Sequence, residues 1–363
     1  MNSCISSLLK HIIYSPLLVK DLFHRTNIEL INKSNFELEN YLSSKSPFPV
    51  GTSKGKNCIS YKFDLQIVVP IYNSEEYLEQ CLDSLINQET SYSYIIVLIN
   101  DGSTDNSYEI IKRYINNPKI RLINQENKGH SGARNAGIKL IEAKYISFVD
   151  SDDFVSPLFV EQMVNNALCH DADIVQCRML SFSKKHPKIK NNKYKIRKIN
   201  QENISGITCC KVYKSDIFSN LVFPNGFWFE DSIYLLSIAL SKNLNCYNLS
   251  SQLYFYRDNN NGVTSTSIGK LKTIDTYWIT KLLLSETKIG VSIDVTTEAL
   301  SKQFLCNCFR VYSLPKDIQN VVFELTRRLC IELIHNTVIS KNKIIDCIIK
   351  GKYYKLLYYA KTI

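Results

Sequence analysis

Apolar runs and amphipathic stretches alternate in the part of the chain that begins near residue 65. The run 65–69 is apolar apart from Gln66 and ends at Pro70, and a second apolar run covers 94–99. Both have the length of buried strands. Ser74 can cap a helix between them, in which apolar residues recur at helical spacing: Tyr77, Leu78, Cys81, Leu82, Leu85 and Ile86.

The same alternation continues to residue 149. The pattern predicts a helix that ends near Ile115, a strand at 120–123, a helix at 131–142 and a strand at 145–149. Strands and helices that alternate with short connections are typical of a mainly parallel sheet covered on both faces. The sequence therefore predicts an α/β fold.

The regions on either side of this series are less regular. A helix is plausible at 8–41, followed by a linker at 43–56 that is rich in Ser, Lys, Pro and Gly. From about residue 270 the apolar spacing is largely helical. We predict an N-terminal extension and linker at 1–60, a main domain at 61–265 and a helical C-terminal region at 266–363.

The second half of the main domain shows fewer regular elements. The run 184–198 holds eight Lys or Arg and no acid, and we expect an exposed loop there. Beyond it, the pattern indicates a turn at 224–226, a helix that starts near Glu230 and a strand at 254–257.

Composition excludes several classes of protein. Hydrophobic residues make up 45% and charged residues 21% of the 363 residues, which argues against a disordered chain. No apolar stretch approaches the roughly 20 residues of a membrane-spanning helix, and residues 1–30 lack a clean signal-peptide core. The twelve cysteines are scattered without paired CxxC motifs, so we expect reduced thiols in a cytoplasmic protein.

The net charge of +10 is concentrated in two regions. The run 184–198 carries +8 and residues 266–363 carry +7, which leaves −5 for the rest. Near the C-terminus, a basic helical face lies opposite an apolar face formed by Ile345, Ile348, Ile349, Tyr353, Leu356 and Ala360. Such a helix can lie on an anionic membrane surface or pack on the protein's own core, and the sequence leaves both open.

Polar residues follow three of the predicted strands. Because ligands of open parallel sheets bind at the carboxyl ends of the strands, we expect these residues to share one site. Two cationic side chains, Lys128 and Arg134, lie in a glycine-containing loop nearby. Carboxylates that hold a divalent cation, together with such cationic groups, suit a metal–diphosphate ligand. The strand-end residues are Pro70, Tyr72, Asn73, Asp101, Asp150, Asp152 and Asp153.

These motifs resemble the family 2 glycosyltransferases, inverting enzymes with the GT-A fold. The matching segments occur in family order over residues 65 to about 265: IVVPIYNSEEYLEQCLDSLINQ, NDGSTDNS, NKGHSGARNAGI, YISFVDSDD, KVYKSDIF, FWFEDSIY and YFYRDNNNGVTS. The resemblance implies a Rossmann-like, mainly parallel sheet flanked by helices. It also implies a nucleotide-sugar-binding half at 61–180 and an acceptor half at 181–265, in an enzyme of the bacterial surface-polysaccharide type.

The resemblance assigns the nucleoside pocket to the first two strand ends. Pro70, Tyr72 and Asn73 would line the pocket, and Asp101 would accept a hydrogen bond from the uracil N3–H of a UDP-sugar. Family members usually carry a second acid directly before this aspartate, where the present chain has Asn100.

The resemblance also assigns the metal and the base. Asp152 would contact the ribose or the metal, Asp153 would be the principal ligand of Mn²⁺ or Mg²⁺, and Asp150 would complete the DxD motif. Asp231 would be the general base that deprotonates the acceptor hydroxyl. One displacement by the acceptor inverts the anomeric carbon, so no enzyme nucleophile is required.

The leading hypothesis is transfer of a hexose or N-acetylhexosamine from a UDP-sugar to a growing glycan, such as lipopolysaccharide, capsule or exopolysaccharide. A nucleotidyltransferase that makes an NDP-sugar is an alternative, but it usually carries a Gly/Arg-rich loop where this chain has Pro70 and Tyr72. A non-catalytic sugar-nucleotide-binding module is another. A dehydrogenase is excluded because no GxGxxG motif follows a strand.

The basic regions indicate an anionic partner. No nucleic-acid-binding motif accompanies them, so we expect a lipid-linked glycan acceptor or a membrane surface on the inner face of the plasma membrane. The sequence leaves two residues open: Trp228 can stack on an acceptor sugar or belong to the core, and Arg257 can be structural or contact the acceptor.

Overall fold

The computed structural model describes residues 32–183, 194–259 and 266–362, together with Leu30, Pro187 and Gly262. The chain divides into two compact units. The sheet unit comprises Val50–Tyr234 and Lys242–Ser265, and the helical unit comprises Met1–Pro49, Leu235–Ser241 and Thr266–Ile363. The functional division into 1–60, 61–265 and 266–363 stays a prediction.

The strands all belong to one sheet of the sheet unit. Its order is β3-β2-β1-β4-β8-β6-β9-β5, with β7 beside β9. The bounds are β1 Cys58–Ile71, β2 Tyr94–Asp101, β3 Ile120–Gln125, β4 Leu140–Phe148, β5 Phe154–Val155, β6 Ile174–Phe182, β7 Ile196–Ile199, β8 Lys211–Lys214 and β9 Cys246–Arg257.

The first four strands along the chain form the parallel part of the sheet. β1 pairs with β2 and β4, and β2 pairs with β3, all in parallel. Strand β8 then runs antiparallel to β4 and β6, whereas β6 and β9 are parallel. The predicted α/β class is confirmed, and the predicted parallel arrangement holds for the half of the sheet in which strand and helix alternate.

The longer helices lie before, between and after the strands along the chain. In chain order they are α1 Asn35–Lys45, α2 Leu78–Ile86, α3 Ser107–Lys112, α4 Gly129–Ile138, α5 Phe159–Cys169, α6 Asp275–Glu286, α7 Ile293–Arg310, α8 Lys316–His335, α9 Lys343–Ile349 and α10 Tyr353–Thr362. Shorter turns of helix are Gln201–Asn203, Ser215–Phe218, Glu230–Ser232, Tyr234–Ile238, Ala239–Ser241 and Leu271–Ile274.

Helix α4 packs closely on β1. A Cβ atom at Gly137 would lie 2.3 Å from Val68 Cγ1, so the absence of a side chain permits this approach. The buried amide of Gln66 donates to Gly137 O at 2.8 Å and accepts from Glu142 N at 2.9 Å. The helix predicted at 131–142 therefore ends early, because the chain from Leu140 onward pairs with β1 as β4.

Other boundaries also differ from the predictions. Helix α2 begins at Leu78, with Tyr77 rather than Ser74 in the capping position. The predicted helix at Glu230 starts as a 3₁₀ turn. Residues 196–199 of the expected basic loop form β7, while 184–186 and 188–193 lie outside the described residues, as does most of the helix predicted at 8–41.

The helical unit has a core of its own. Ile345, Ile348, Tyr353 and Leu356, which lie on the apolar face predicted for the C-terminal helices, are buried. The structure thus favours core packing for this face. In the part of the chain that the structure describes, no helix combines the length and apolarity needed to cross a membrane.

Candidate active site

The carboxyl ends of β1, β2 and β4 lie side by side because these strands are parallel neighbours. Pro70 is buried within the last part of β1, and Tyr72 follows with 49% of its surface exposed. Asp101 is the last residue of β2, and Asp150 follows β4 by two residues. The structure thus brings the predicted nucleoside and metal residues to one edge of the sheet.

The loops after β1 and β2 are joined by reciprocal hydrogen bonds. Asn73 has a positive φ of 49°, and its Oδ1 accepts from Thr104 N at 2.8 Å. Glu75 Oε2 accepts from Asn106 N at 2.8 Å, and Asp105 Oδ2 accepts from Glu75 N at 2.9 Å. Each loop therefore holds the other, and together they form the predicted wall of the nucleoside pocket.

Asp101 organises the loop that carries Lys128. Its side chain is 2% exposed, and its Oδ1 accepts from Lys128 N at 2.9 Å and Gln125 Nε2 at 2.6 Å. Gly102 has φ +72° and lies so close to this loop that a Cβ would sit 2.8 Å from Asn127 N. Asn100, the departure from the family pattern, accepts from Ser103 N at 3.2 Å and so stabilises the same turn.

The acidic loop, defined as Asp150–Asp153, contacts the end of β9. Asp153 is 1% exposed, and its Oδ2 accepts from Tyr254 Oη at 2.7 Å while its Oδ1 accepts from Arg257 N at 2.7 Å. Asp152 is half-buried, and its Oδ2 accepts from Asn259 Nδ2 at 3.0 Å. The Asp150 side chain is 31% exposed. Asp150 and Asp152 are therefore the more accessible carboxylates.

The carboxylates of the acidic loop repel one another. Burial raises the pKa of Asp153 to about 8, with further contributions from the charges of Asp150 and Asp152. Burial and the charge of Asp150 likewise raise the pKa of Asp152. A bound cation would offset this repulsion, so the residues present fit a divalent metal.

The acidic loop offers fewer protein ligands for a metal than a closed metal site does. Among the described residues, no group of three His, Cys, Asp or Glu side chains converges in a way that would hold a metal. Magnesium sites commonly use one or two carboxylates and complete their coordination with water and substrate phosphates. Because the carboxylate of Asp153, the predicted principal ligand, is enclosed and accepts two hydrogen bonds, Asp152 and Asp150 are the better candidates.

Arg134 on α4 connects the acidic loop to the turn that holds Asp231. Its guanidinium is buried, with Nη2 3.1 Å from Asp150 Oδ1 and Nη1 hydrogen-bonded to Glu230 Oε1. Burial would raise the pKa of Glu230, but the charges of Arg134 and His130 outweigh it and lower the pKa. These ion pairs do not support the predicted contact of Arg134 with phosphate; Lys128, exposed in the adjoining loop, is the better candidate.

Asp231 lies in the turn Glu230–Ser232, directly after Phe229, whose φ of 64° is left-handed. The negative charge of Asp231 acts on Arg134, which places it in the same electrostatic environment as Asp150. Phe227 is buried in the core, while Trp228 is half-buried and contacts Phe229 edge-to-face at 6.3 Å. Both roles of Trp228, stacking on an acceptor sugar or packing in the core, stay predictions.

Sequence reasoning missed most of the residues that hold the acidic loop. Tyr254 and Arg257 lie at the end of β9 and Asn259 follows the strand by two residues, all about a hundred residues further along the chain. The sequence did offer a signal for these residues: polar residues follow the strand predicted at 254–257, as they follow the other predicted strands. The structure places Arg257 against Asp152 and Asp153, which favours a structural role.

The chain is similar in sequence and fold to known glycosyltransferases. Residues 66–222 match the model of the family described as glycosyl transferase family 2. YibD, an uncharacterized glycosyltransferase of Escherichia coli (strain K12), is 46% identical over 114 residues, covering 31% of this chain and 33% of the relative. EpsJ, an uncharacterized glycosyltransferase of Bacillus subtilis (strain 168), is 34% identical over 217 residues, covering 55% of this chain and 62% of the relative.

The match thus spans less than two thirds of either relative's length. Among solved structures, S. aureus TarS 1-349 in complex with UDP-GlcNAc superposes with a TM-score of 0.64 at 18% identity, covering 82% of this chain and 90% of that chain. This likeness shows the fold. The matched domain and the fold together show that the chain contains a family 2 glycosyltransferase domain with the GT-A fold.

Proposed function

We propose that this chain transfers a hexose or N-acetylhexosamine from a UDP-sugar to a growing surface glycan, with inversion at the anomeric carbon. The observation that carries the proposal is the position of Asp101, Asp150 and Asp152 at one edge of the sheet, with Asp231 linked to them through Arg134 and Glu230. TarS, which shares the fold, is solved with UDP-GlcNAc, and this supports a UDP-sugar donor.

The nucleoside would bind between the loops after β1 and β2. Tyr72 offers an exposed aromatic ring for the base, beside the buried Pro70. The two hydrogen bonds that fix Asp101 both use its Oδ1, so its Oδ2 would accept from uracil N3–H. The loop that Asp101 holds presents Lys128, which would neutralise charge on the diphosphate.

Asp150 and Asp152 would hold Mn²⁺ or Mg²⁺ together with the donor diphosphate. When bound, the cation would stabilise the negative charge of the departing UDP as a Lewis acid. Asp153, enclosed by β9, would orient the loop that presents these ligands. Asp231 would accept the proton of the acceptor hydroxyl. Its neighbour Glu230 is the weaker candidate, because Arg134 already pairs with the Glu230 carboxylate and lowers its pKa.

We expect Asp152→Asn to lower UDP release from a UDP-sugar panel by about 100-fold or more, because metal stabilisation of a leaving group is worth several kcal/mol. Release should be measured with Mn²⁺ and again after chelation. Asp171→Asn, which changes an exposed aspartate paired with Lys214, should leave release unchanged. Undiminished release from Asp152→Asn would rule out this assignment of the metal ligand.

The cellular location is also a proposal. Lys341, Lys343, Lys350 and Lys352 are exposed, whereas the apolar face of α9 and α10 is buried in the helical unit. A cytoplasmic enzyme with this surface would bind the inner face of the plasma membrane, or the phosphates of a lipid-linked acceptor, by charge and not by an inserted apolar face.

We expect the protein to sediment with vesicles that contain phosphatidylglycerol at low salt and to be released at about 0.5 M salt, where the Debye length falls to a few ångströms. Replacing the four lysines by Gln should weaken binding strongly, at about 1 kcal/mol per lysine. The matched control replaces four exposed lysines of the sheet unit by Gln: Lys112, Lys139, Lys144 and Lys242. Equal binding to neutral vesicles would contradict the proposal.

A further inference from the structure

The end of β9 makes a dense set of hydrogen bonds to the acidic loop. Tyr254 Oη accepts from Asp150 N at 3.1 Å and donates to Asp153 Oδ2 at 2.7 Å. Within the loop, Asp153 N donates to Asp150 O at 3.0 Å. One phenol therefore fixes both ends of the four-residue turn on which the accessible carboxylates lie.

Arg257 holds the middle of the same loop. Its backbone N–H donates to Asp153 Oδ1 and its Nε donates to Asp152 O, each at 2.7 Å. The guanidinium lies 4.3 Å from the ring of Tyr77 and 4.7 Å from the ring of Phe182, and it also donates to Gln80. Since the guanidinium is buried and lies against two rings, it is a support for the loop and not a surface cation.

Asn259 completes the contact by donating to Asp152 Oδ2 at 3.0 Å. We propose that Tyr254, Arg257 and Asn259 form a β9 clamp, a set of positioning residues that holds the carboxylates of Asp150 and Asp152 in the orientation that receives the donor diphosphate and its cation. This inference rests on the proposed function. It also assigns a role to Asp153, whose carboxylate accepts hydrogen bonds from Tyr254 and Arg257 and so connects the clamp to the loop.

The hydrogen bonds to Asp153 and Asp152 support the clamp. Both oxygens of a nearly inaccessible carboxylate are hydrogen-bonded, and each donor comes from the same strand end. Asp152, next to Asp153, accepts from Asn259 with Oδ2, and its Oδ1 takes no part in that hydrogen bond. Groups that orient a metal ligand typically change metal affinity or activity by about 10–100-fold when they are removed.

The test compares Tyr254→Phe and Asn259→Ala with a matched control, Tyr247→Phe. Tyr247 lies on the same strand, where its ring stacks on His170 at 4.5 Å. Calorimetry should measure UDP binding with and without Mn²⁺, and amide hydrogen exchange should be followed at residues 150–153 without ligand. Unfolding by urea shows whether each variant is folded.

We expect both clamp variants to lose about 10-fold or more of the Mn²⁺-dependent gain in UDP affinity, with little change in UDP affinity without metal. Exchange at Asp150 should speed up in Tyr254→Phe and not in Tyr247→Phe. If Tyr254→Phe fails to fold, Asn259→Ala, at the half-buried end of the clamp, carries the test alone.

An unchanged Mn²⁺-dependent gain in the folded clamp variants, with wild-type protein that binds UDP and Mn²⁺, would overturn the clamp. Equal losses in Tyr247→Phe would overturn it as well, since the effect would then be general destabilisation. Failure of the wild-type protein to bind UDP at all would instead contradict the proposed function, and the exchange data would still report whether β9 orders the loop.

Discussion

Replacing Asp231 with Asn is expected to reduce sugar transfer by about 10²–10⁴-fold, the usual contribution of a positioned general base. Asn has the same shape as Asp but cannot take the acceptor proton. The donor-binding residues at the ends of β1, β2 and β4 are unchanged by this substitution, so UDP-sugar affinity should stay within about twofold of the wild-type value. Product formation on an acceptor and calorimetric donor binding measure the two effects separately.

A matched control is Asp216→Asn. Asp216 also lies in the first turn of a short 3₁₀ helix in the sheet unit, where it accepts a hydrogen bond from Tyr61 Oη at 2.6 Å. Its replacement should leave transfer intact. Full transfer by Asp231→Asn would refute its assignment as the base, and loss of donor binding would show that the residue acts on the nucleotide instead.

Arg134→Met is expected to reduce both stability and transfer. The substitution leaves the mostly buried Glu230 and the half-buried Asp150 without their shared cation, and breaking a buried ion pair in this way typically costs about 3–5 kcal/mol of unfolding free energy. Transfer should fall by about 100-fold or more, because a displacement of roughly 1 Å in a reacting group has an effect of that size. Urea unfolding and the transfer assay measure the two losses.

Arg113→Met provides the control for this prediction. Arg113 pairs with Glu79 at 3.0 Å, but both side chains are more than half exposed, so its loss should cost about 1 kcal/mol or less. A similar stability for the two variants would contradict the connecting role of Arg134. A stable Arg134→Met protein that transfers normally would exclude it.

The ion pair also predicts a pH dependence. The pKa of Glu230 is below its ordinary value of 4.5 in the folded protein, so its contribution to stability is complete above pH 4.5 and is lost as the pH falls through the folded pKa. The difference in unfolding free energy between wild type and Glu230→Gln should therefore shrink below pH 4.5. A difference that stays constant or grows there would show that Glu230 is not stabilised as a carboxylate.

The parallel half of the sheet and its strand-end residues were predictable because both depend on local patterns. Largely apolar runs such as 65–69 and 94–99 indicate strands buried on both faces, and parallel neighbours place the residues that follow them at one edge. The residues expected to bind the nucleoside and the metal were therefore predicted to lie together, and the structure places them at one edge of the sheet. The order of β6, β8 and β9 was not predictable, because these strands pair across long separations and mix parallel with antiparallel neighbours.

The individual tasks of the charged residues were harder to predict than their location. The resemblance assigned a metal to Asp153, and Arg134 was expected to contact phosphate because its type suits that group. In the structure, Asp153 accepts hydrogen bonds from β9, and Arg134 pairs with carboxylates 16 and 96 residues away. Whether a carboxylate or guanidinium binds a ligand or supports the fold depends on which protein groups lie within hydrogen-bonding distance of it. Sequence spacing does not contain that information.

By itself, the sequence determined the match to a family 2 glycosyltransferase domain, the α/β class and the edge of the sheet at which the candidate site residues lie. Apolar periodicity and the order of short motifs are local properties of the chain, and they can be recognised without knowledge of tertiary contacts. Only the tertiary structure decided which acids stay accessible, which are held by β9, and how Arg134 joins Asp150 to the turn of Asp231. Those distinctions depend on burial and on partners distant in sequence, because the same carboxylate binds a cation when exposed and supports the fold when enclosed.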